Sequence, residues 1–313
     1  MSIIVDFALL HWAVEAGRIA VVSFEIPGVL YLERPRGSEV PLLLDSPHSG
    51  AHYPEDFGTR VPLPVLRRAE DCHVDALFTG ATAFGATLLA ALFPRSYIDP
   101  NRAETDLDPA LLANGWPGRI KTSDKAKLGH GLIWRICPPD YAMYDRLLSV
   151  EEVRHRIEDY WRPYHAMLRG RLDDLHQRFG CVYHLNCHSM PASSTPARAV
   201  RNTLRRADFV LGDRDGQSCD GEFRDVVRDC LEEMGYQVRI NDPYRGVELV
   251  RAYSDPFRAR HSLQIEINRG LYMNEVTLEP LDGYWTLRRD LDRMVERVAE
   301  FVRITARRQA AAD

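Results

Sequence analysis

No stretch of the chain is both long and apolar enough to cross a bilayer. The opening MSIIVDFALLHWAVEAGRIAVV is interrupted by Asp6, His11 and Glu15 and has no basic leader, so it reads as neither signal peptide nor membrane span. Residues 1–20 are read as an N-terminal extension. Basic residues are not in excess either: 40 Lys and Arg against 45 Asp and Glu give a formal charge of -5. A protein that holds a polyanion by neutralising its backbone needs a clustered surplus of cations, so nucleic acid is excluded as a partner. Six cysteines stand far apart with no C-x-x-C pair, which excludes a zinc ribbon and points to reduced thiols in a cytosol. G-x-S-x-G, the Walker A sequence and a G-x-G-x-x-G after a strand are all missing. Metal chemistry or acid–base chemistry is what remains.

What is there is an ordinary globular composition, 45% hydrophobic and 27% charged, in a chain long enough to bury a core without staples. With no repeat and no linker, residues 1–313 read as a single domain. Short β-rich runs alternate with amphipathic segments, which predicts an α/β fold: a sheet with helices on its faces. The expected strands are 41–46, 86–92, 181–186, 207–212, 236–241 and 262–268. Helices are expected over 64–83, 149–179, 220–234 and 283–308. Ser149 and Glu152 form a capping box, Gly180 and Gly235 supply stops, and Pro163 should kink or divide the second helix. Residues 99–139 have little periodicity and much Pro, Gly and Asn, and read as long loops around an active site.

Two histidines stand just past predicted strands, where open α/β sheets hold ligands. His48 sits in the Pro/Gly turn of Asp45-Ser46-Pro47-His48-Ser49-Gly50, where a structural role is the competing reading. His188 follows His184-Leu185-Asn186-Cys187, and in an extended segment His184, Asn186 and His188 share one face. His184 itself could be a hydrogen-bonded core residue. In Glu70-Asp71-Cys72-His73-Val74-Asp75, helical spacing turns Asp71 and Asp75 toward the apolar stripe with Val74 and Phe78, although acids in a first turn also serve the helix dipole. Two histidines and one carboxylate from separate elements match the demand of catalytic zinc, which leaves a fourth position open. His52, three residues before Glu55, is a weaker alternative ligand. Asn101-Arg102 offers a fork for a substrate carboxylate. Glu266, between Ile265 and Ile267 in an alternating strand, is either paired with Arg269 or another cation, or a general base.

SPHSG with YPEDF, EDCHVDALF, FPRSYIDPNR with TDLDP, NCHSMP with VLGDR, and HSLQIEINRGLYMNE occur in this order between about residues 41 and 290. In that order they resemble the N-formylglutamate amidohydrolase family. The resemblance implies a fold similar to zinc carboxypeptidases, aspartoacylases and cell-wall amidases, with a mixed central sheet and helices on both sides. It also implies one Zn2+ held by His48, Asp71 and His188, with Glu266 as base and Asn101 with Arg102 as clamp for a small N-acylated amino acid. Asp75 could replace Asp71 or support it, and Arg269 or Arg135 could stabilise the oxyanion.

Two departures stand out. Asn186 occupies a position where the family usually has Asp. The usual PYAGG stretch ending in His-Tyr reads Pro243-Tyr244-Arg245-Gly246-Val247-Glu248, with Ala252-Tyr253 later. Loss of a charge and of a substrate-loop histidine implies a substrate preference not sharply set on formylglutamate. The competing readings are a zinc peptidase or other deacylase on the same scaffold, and a silent ligand sensor, against which Glu266 speaks.

Overall fold

The computed structural model of the protein describes residues 23–193 and 207–311, so the 1–20 extension lies outside the described residues. Its centre is an eight-stranded mixed sheet. In chain order the strands are β1 (Phe24–Ile26), β2 (Leu30–Glu33), β3 (Leu42–Ser46), β4 (Thr87–Ala91), β7 (Val182–Met190), β8 (Phe209–Gly212), β9 (Val238–Ile240) and β10 (Arg260–Asn268), while β5 (Ile136–Cys137) and β6 (Tyr141–Ala142) make a separate hairpin. The order across the sheet is β1-β2-β4-β3-β7-β10-β8-β9. β4, β3, β7 and β10 run parallel, and β8 returns antiparallel beside β10.

The period of two along these strands separates two cores. Leu42, Leu44, Tyr183, Leu185, Cys187, Leu263, Ile265 and Ile267 face one side and pack with helices α3 (Gly221–Glu233) and α4 (Tyr284–Ala310). Leu43, Leu89 and Val182 face the other, under α2 (Arg162–Phe179) and α1 (Val150–Arg156). On that second side the two central strands turn polar toward their C-terminal ends. Register pairs His184 with Ser262, Asn186 with Gln264 and His188 with Glu266, and sets Asp45 beside Asn186. All seven residues are buried. Such a row is tolerable only where each polar group finds a partner, and it marks the working face of the sheet.

The helix expected over 64–83 is broken. A helical turn at Leu63–Leu66 leads into a 3₁₀ turn, Glu70 is extended, His73 is left-handed (φ 67°), and helix resumes only at Val74–Leu77 before a 3₁₀ stretch over Thr79–Phe84. The break turns Asp71 inward, where its N–H donates to the His48 carbonyl at 2.9 Å. Asp71 and Asp75 therefore do not share a helix face. The 149–179 helix is continuous in path but carries a π segment at Ile157–Trp161, one turn before Pro163, whose ring and missing N–H disfavour regular α bonding upstream. No described helix is long and apolar enough to cross a membrane.

The Ser149–Glu152 capping box is present in full. Ser149→Ala should lower stability by about 1 kcal/mol, read as a shifted urea midpoint with unchanged slope. The hydrogen bond from Arg146 is the main cause that lowers the Glu152 pKa to about 2, aided by the Ser149 backbone. A depressed carboxyl pKa stabilises the fold above the unfolded value near ~4.3. That contribution should fade as pH falls from there toward about 2, and less of it should be lost in Arg146→Ala, which removes the main cause.

Candidate active site

His48, Asp71 and His188 come together, fully buried, with one ligand atom from each within 4.8 Å of the others. His48 ends the β3 turn. Gly50 is required there, because a Cβ on it would lie 2.2 Å from the Phe93 carbonyl oxygen. His188 stands near the end of β7, and Asp71 enters from the broken segment described above.

Hydrogen bonds around the cluster fix which atoms face it. Asp99 can only accept, so His48 Nε2 donates to Asp99 Oδ1 (2.7 Å) and its Nδ1 carries a lone pair. Asn186 Nδ2 donates to Asp45 Oδ1 (2.7 Å), which turns Oδ1 of Asn186 toward His188 Nε2 (2.8 Å). His188 Nε2 therefore carries a proton and its Nδ1 does not. Both Nδ1 atoms point at Asp71 Oδ2, from 3.4 Å for His48 and 3.1 Å for His188. His48 Nδ1 is buried with no hydrogen-bond partner. Two imidazole lone pairs and a carboxylate oxygen repel one another unless a cation sits between them, and the three residues form a group that could hold a metal ion.

The other oxygen of Asp71 is held from behind. Oδ1 accepts from Arg269 Nη2 (2.9 Å) and Ser189 Oγ (3.1 Å). Burial pushes the Asp71 carboxyl up, but the adjoining His188 and His48 imidazoles and the charge of Arg95 prevail and hold it well below the usual range. Arg269 also donates to Ser189 Oγ and to the carbonyls of Arg68 and Glu70. Arg269, expected as a candidate to stabilise the oxyanion, has its guanidinium taken up in anchoring Asp71. Arg135 is also set apart, because it pairs with Asp108 (2.6 Å) inside its own loop and donates to the Lys127 carbonyl. Asp75 accepts from Tyr31 (3.1 Å) and contributes no atom to the cluster, and His52 is exposed outside it.

Glu266 lies on the same face as His188, one strand over, with Oε1 accepting from Gln264 (2.8 Å). Burial, and then the nearby charge of Asp71, raise its pKa well above the usual carboxylate range. It has no ion pair with Arg269, which points to Asp71 instead. Asn101 Nδ2 lies 3.1 Å from His188 Nε2, and its Oδ1 accepts from the Leu249 N–H (3.0 Å). Arg102 is buried and donates from Nε to the His130 carbonyl and from Nη1 to the Asn101 carbonyl, leaving Nη2 unused. His184 is a core residue bonded to Ser262 and Asp45, not a ligand.

Sequence reasoning passed over two residues here. Asp99 braces His48, and Arg95 in turn braces Asp99 through Nη2 (3.0 Å). Burial favours the protonated form of Asp99, but Arg95 and His48 outweigh it and keep its pKa well below the usual range. Both residues stand in FPRSYIDPNR. The signal was their spacing of four, which lets an Arg and an Asp meet over one turn.

Residues 40–273 match the sequence model of N-formylglutamate amidohydrolase. An N-formylglutamate deformylase from Pseudomonas putida is 31% identical over 80% of this chain and 86% of its own length, and one from Pseudomonas aeruginosa is 29% identical over 75% and 83%. The crystal structure of N-formylglutamate amidohydrolase from Ralstonia eutropha JMP134 superposes with a TM-score of 0.85 at 48% identity, covering 89% of this chain and 99% of that one. The chain therefore belongs to the N-formylglutamate amidohydrolase family, hydrolases of a carbon–nitrogen amide bond.

Proposed function

We propose that the protein hydrolyses the formyl amide of N-formyl-L-glutamate, releasing formate and glutamate, with one zinc ion held by His48 Nδ1, Asp71 Oδ2 and His188 Nδ1. The observation that carries this reading is the pair of imidazole lone pairs turned on one buried carboxylate oxygen. When bound, zinc supplies Lewis acidity, which polarises an acyl carbonyl and brings the pKa of water from 15.7 to about 7.

The chain's own residues do the rest. Glu266 takes a proton from the attacking water and hands it to the departing amine nitrogen, so the carboxyl ends the cycle as it began. Arg95, whose positive field reaches Asp71, Asp99 and Glu266, stabilises the charge that gathers on the carbonyl oxygen. Arg102 offers Nη2 to the substrate carboxylate and so sets the acyl carbon at the cluster. Asn186 keeps His188 in the right tautomer with a neutral acceptor in place of a charged one. Six free, buried cysteines suit a reducing cytosol.

His48→Ala and His188→Ala should each lose stoichiometric zinc by elemental analysis while unfolding cooperatively. Asp71→Asn should weaken zinc binding far more than Asp75→Asn, and equal effects would remove Asp71 from the ligand set. Glu266→Gln keeps the shape but cannot take a proton. Turnover should fall by about 10²–10⁴-fold with zinc content retained, and wild-type turnover in this variant would exclude Glu266 from the mechanism. Arg102→Lys keeps the charge but loses the planar fork. Its kcat/KM should fall about tenfold, equivalent to about 1.4 kcal/mol of transition-state binding.

A further inference from the structure

Arg156 closes α1 and is one of the largest fully buried side chains of the protein, with 1% of its surface exposed. It forms no ion pair with any described residue. Its guanidinium sits instead among three rings, 4.2 Å from the centre of Tyr97, 5.5 Å from Tyr144 and 5.6 Å from Phe57. Nη1 donates to the Tyr97 carbonyl (3.1 Å) and the Tyr144 hydroxyl (2.7 Å), Nη2 donates to the Phe57 carbonyl (3.2 Å), and Nε has no partner. A buried cation without a carboxylate is costly, and contact with aromatic faces offsets only part of that cost. A methionine would pack against the same rings without the penalty. What only an arginine supplies here is a rigid fork of donors that fixes two loop carbonyls and a hydroxyl at once.

The two carbonyls belong to turns that carry the cluster. The Tyr97 N–H donates to the Pro94 carbonyl (2.9 Å), closing a turn that holds Arg95 and leads into Asp99. Arg95 and Asp99 stand in line behind His48, with Arg95 at 3.0 Å from Asp99 and Asp99 at 2.7 Å from His48. Phe57 ends the Glu55–Phe57 turn. Asp56 in that turn accepts from the Tyr97 hydroxyl (2.9 Å), so the two turns clasp each other beside the guanidinium. Tyr53 stacks on Phe57 and donates to Glu70 (2.5 Å), the neighbour of Asp71. Arg156 therefore stands at the root of two chains of contact, one ending on His48 and the other beside Asp71.

We propose that Arg156 is a positioning residue for the reaction: it sets the turn from Pro94 to Asp99, and through that turn the His48 ring and Arg95, by directed hydrogen bonds and not by charge. The proposal rests on the amidohydrolase reading above for its kinetic readout. Loss of the groups that orient metal ligands typically weakens metal binding or activity about 10–100-fold. A displaced Arg95 loses hold of the charge on the reacting oxygen while Arg102 still captures the substrate, so the loss should fall on kcat more than on KM.

The test takes Arg156→Met, Arg156→Lys and, as a control for stability alone, Leu231→Ala, which empties a buried site on α3 in the core across the sheet. Arg156→Met should unfold cooperatively with a urea midpoint no lower than that of the wild type. Its kcat on N-formyl-L-glutamate should fall about tenfold or more with KM within about twofold, and zinc, read by competition with a chromophoric chelator, should bind about tenfold more weakly. Arg156→Lys keeps the charge without the fork and should lose as much, and it decides alone should Arg156→Met fail to fold. Leu231→Ala should lower the midpoint and leave kcat, KM and zinc affinity as they are. In the metal-free protein the His48 ring N–H resonance, assigned by its loss in His48→Ala, should move in both Arg156 variants and stay in place in Leu231→Ala. Wild-type kcat or an unmoved resonance in the Arg156 variants would overturn the proposal, and so would equal losses in Leu231→Ala. A wild type that hydrolyses no N-formyl amino acid would sink the amidohydrolase reading, and the resonance would still decide the role of Arg156.

Discussion

The whole site depends on how Asp71 is held. A carboxylate this deeply buried is costly unless it is paired and hydrogen-bonded, and Asp71 meets that need with one oxygen in each direction. Arg269 and Ser189 take Oδ1, so Oδ2 is left to face His48 and His188. Removing one partner of such a pair costs about 3–5 kcal/mol, far more than a surface ion pair contributes. This makes Arg269 a structural residue with a functional consequence. Its side chain also binds the carbonyls of Arg68 and Glu70, so the same guanidinium that charges the site holds open the break in the 63–84 segment.

Behind the histidines runs a second layer of charge. Asp45 accepts from His184, Asn186 and Tyr164 at 2.7–2.8 Å, and so lies one residue further from His188 than an acid at position 186 would. Asn186 passes orientation forward without passing charge. Its amide can lie only one way, because Asp45 demands a donor, and the remaining oxygen must then accept from His188. The departure from the usual Asp is thus compensated in geometry, while the negative charge next to the ligand is reduced. A less basic imidazole follows from that in physical terms.

Much of this was legible in residue order, and the failures have causes. His48, His188 and Glu266 were readable because period-two strands announce which side chains share a face, and register then sets His188 beside Glu266. Asp71 was identified for a wrong local reason: helical spacing suggested a face shared with Asp75, whereas tertiary bonds from Arg269 and the His48 carbonyl override helix propensity at Glu70–His73. Arg135 and Arg269 were read as substrate groups because charge alone does not reveal a partner. Asp108 and Asp71, distant in sequence from Arg135 and Arg269, are the partners these two take. The edge hairpin β1–β2 was overlooked although Pro27-Gly28 is a turn signal. Val29 N–H bonds to the Ile26 carbonyl, and Gly28 adopts φ 75° as that turn demands.

The π segment shows how the scaffold reaches the loop of Pro100 to Arg102. Trp161, at its end, donates its indole N–H to the Arg102 carbonyl (3.0 Å) and stacks on His165 at 3.7 Å between ring centroids. His165 Nε2 donates to the Pro100 carbonyl (2.9 Å), which leaves Nδ1 to accept from the Tyr253 hydroxyl (2.7 Å). Burial lowers the His165 pKa to about 4, so this neutral tautomer persists at cellular pH. One helix therefore grips the loop on both sides of Asn101, from Pro100 and from Arg102, while Leu249 holds the Asn101 side chain. The loop is set relative to His188 by these three hydrogen bonds. Pro163, which disfavours regular helix one turn upstream, sits where the widened turn presents Trp161 to that loop.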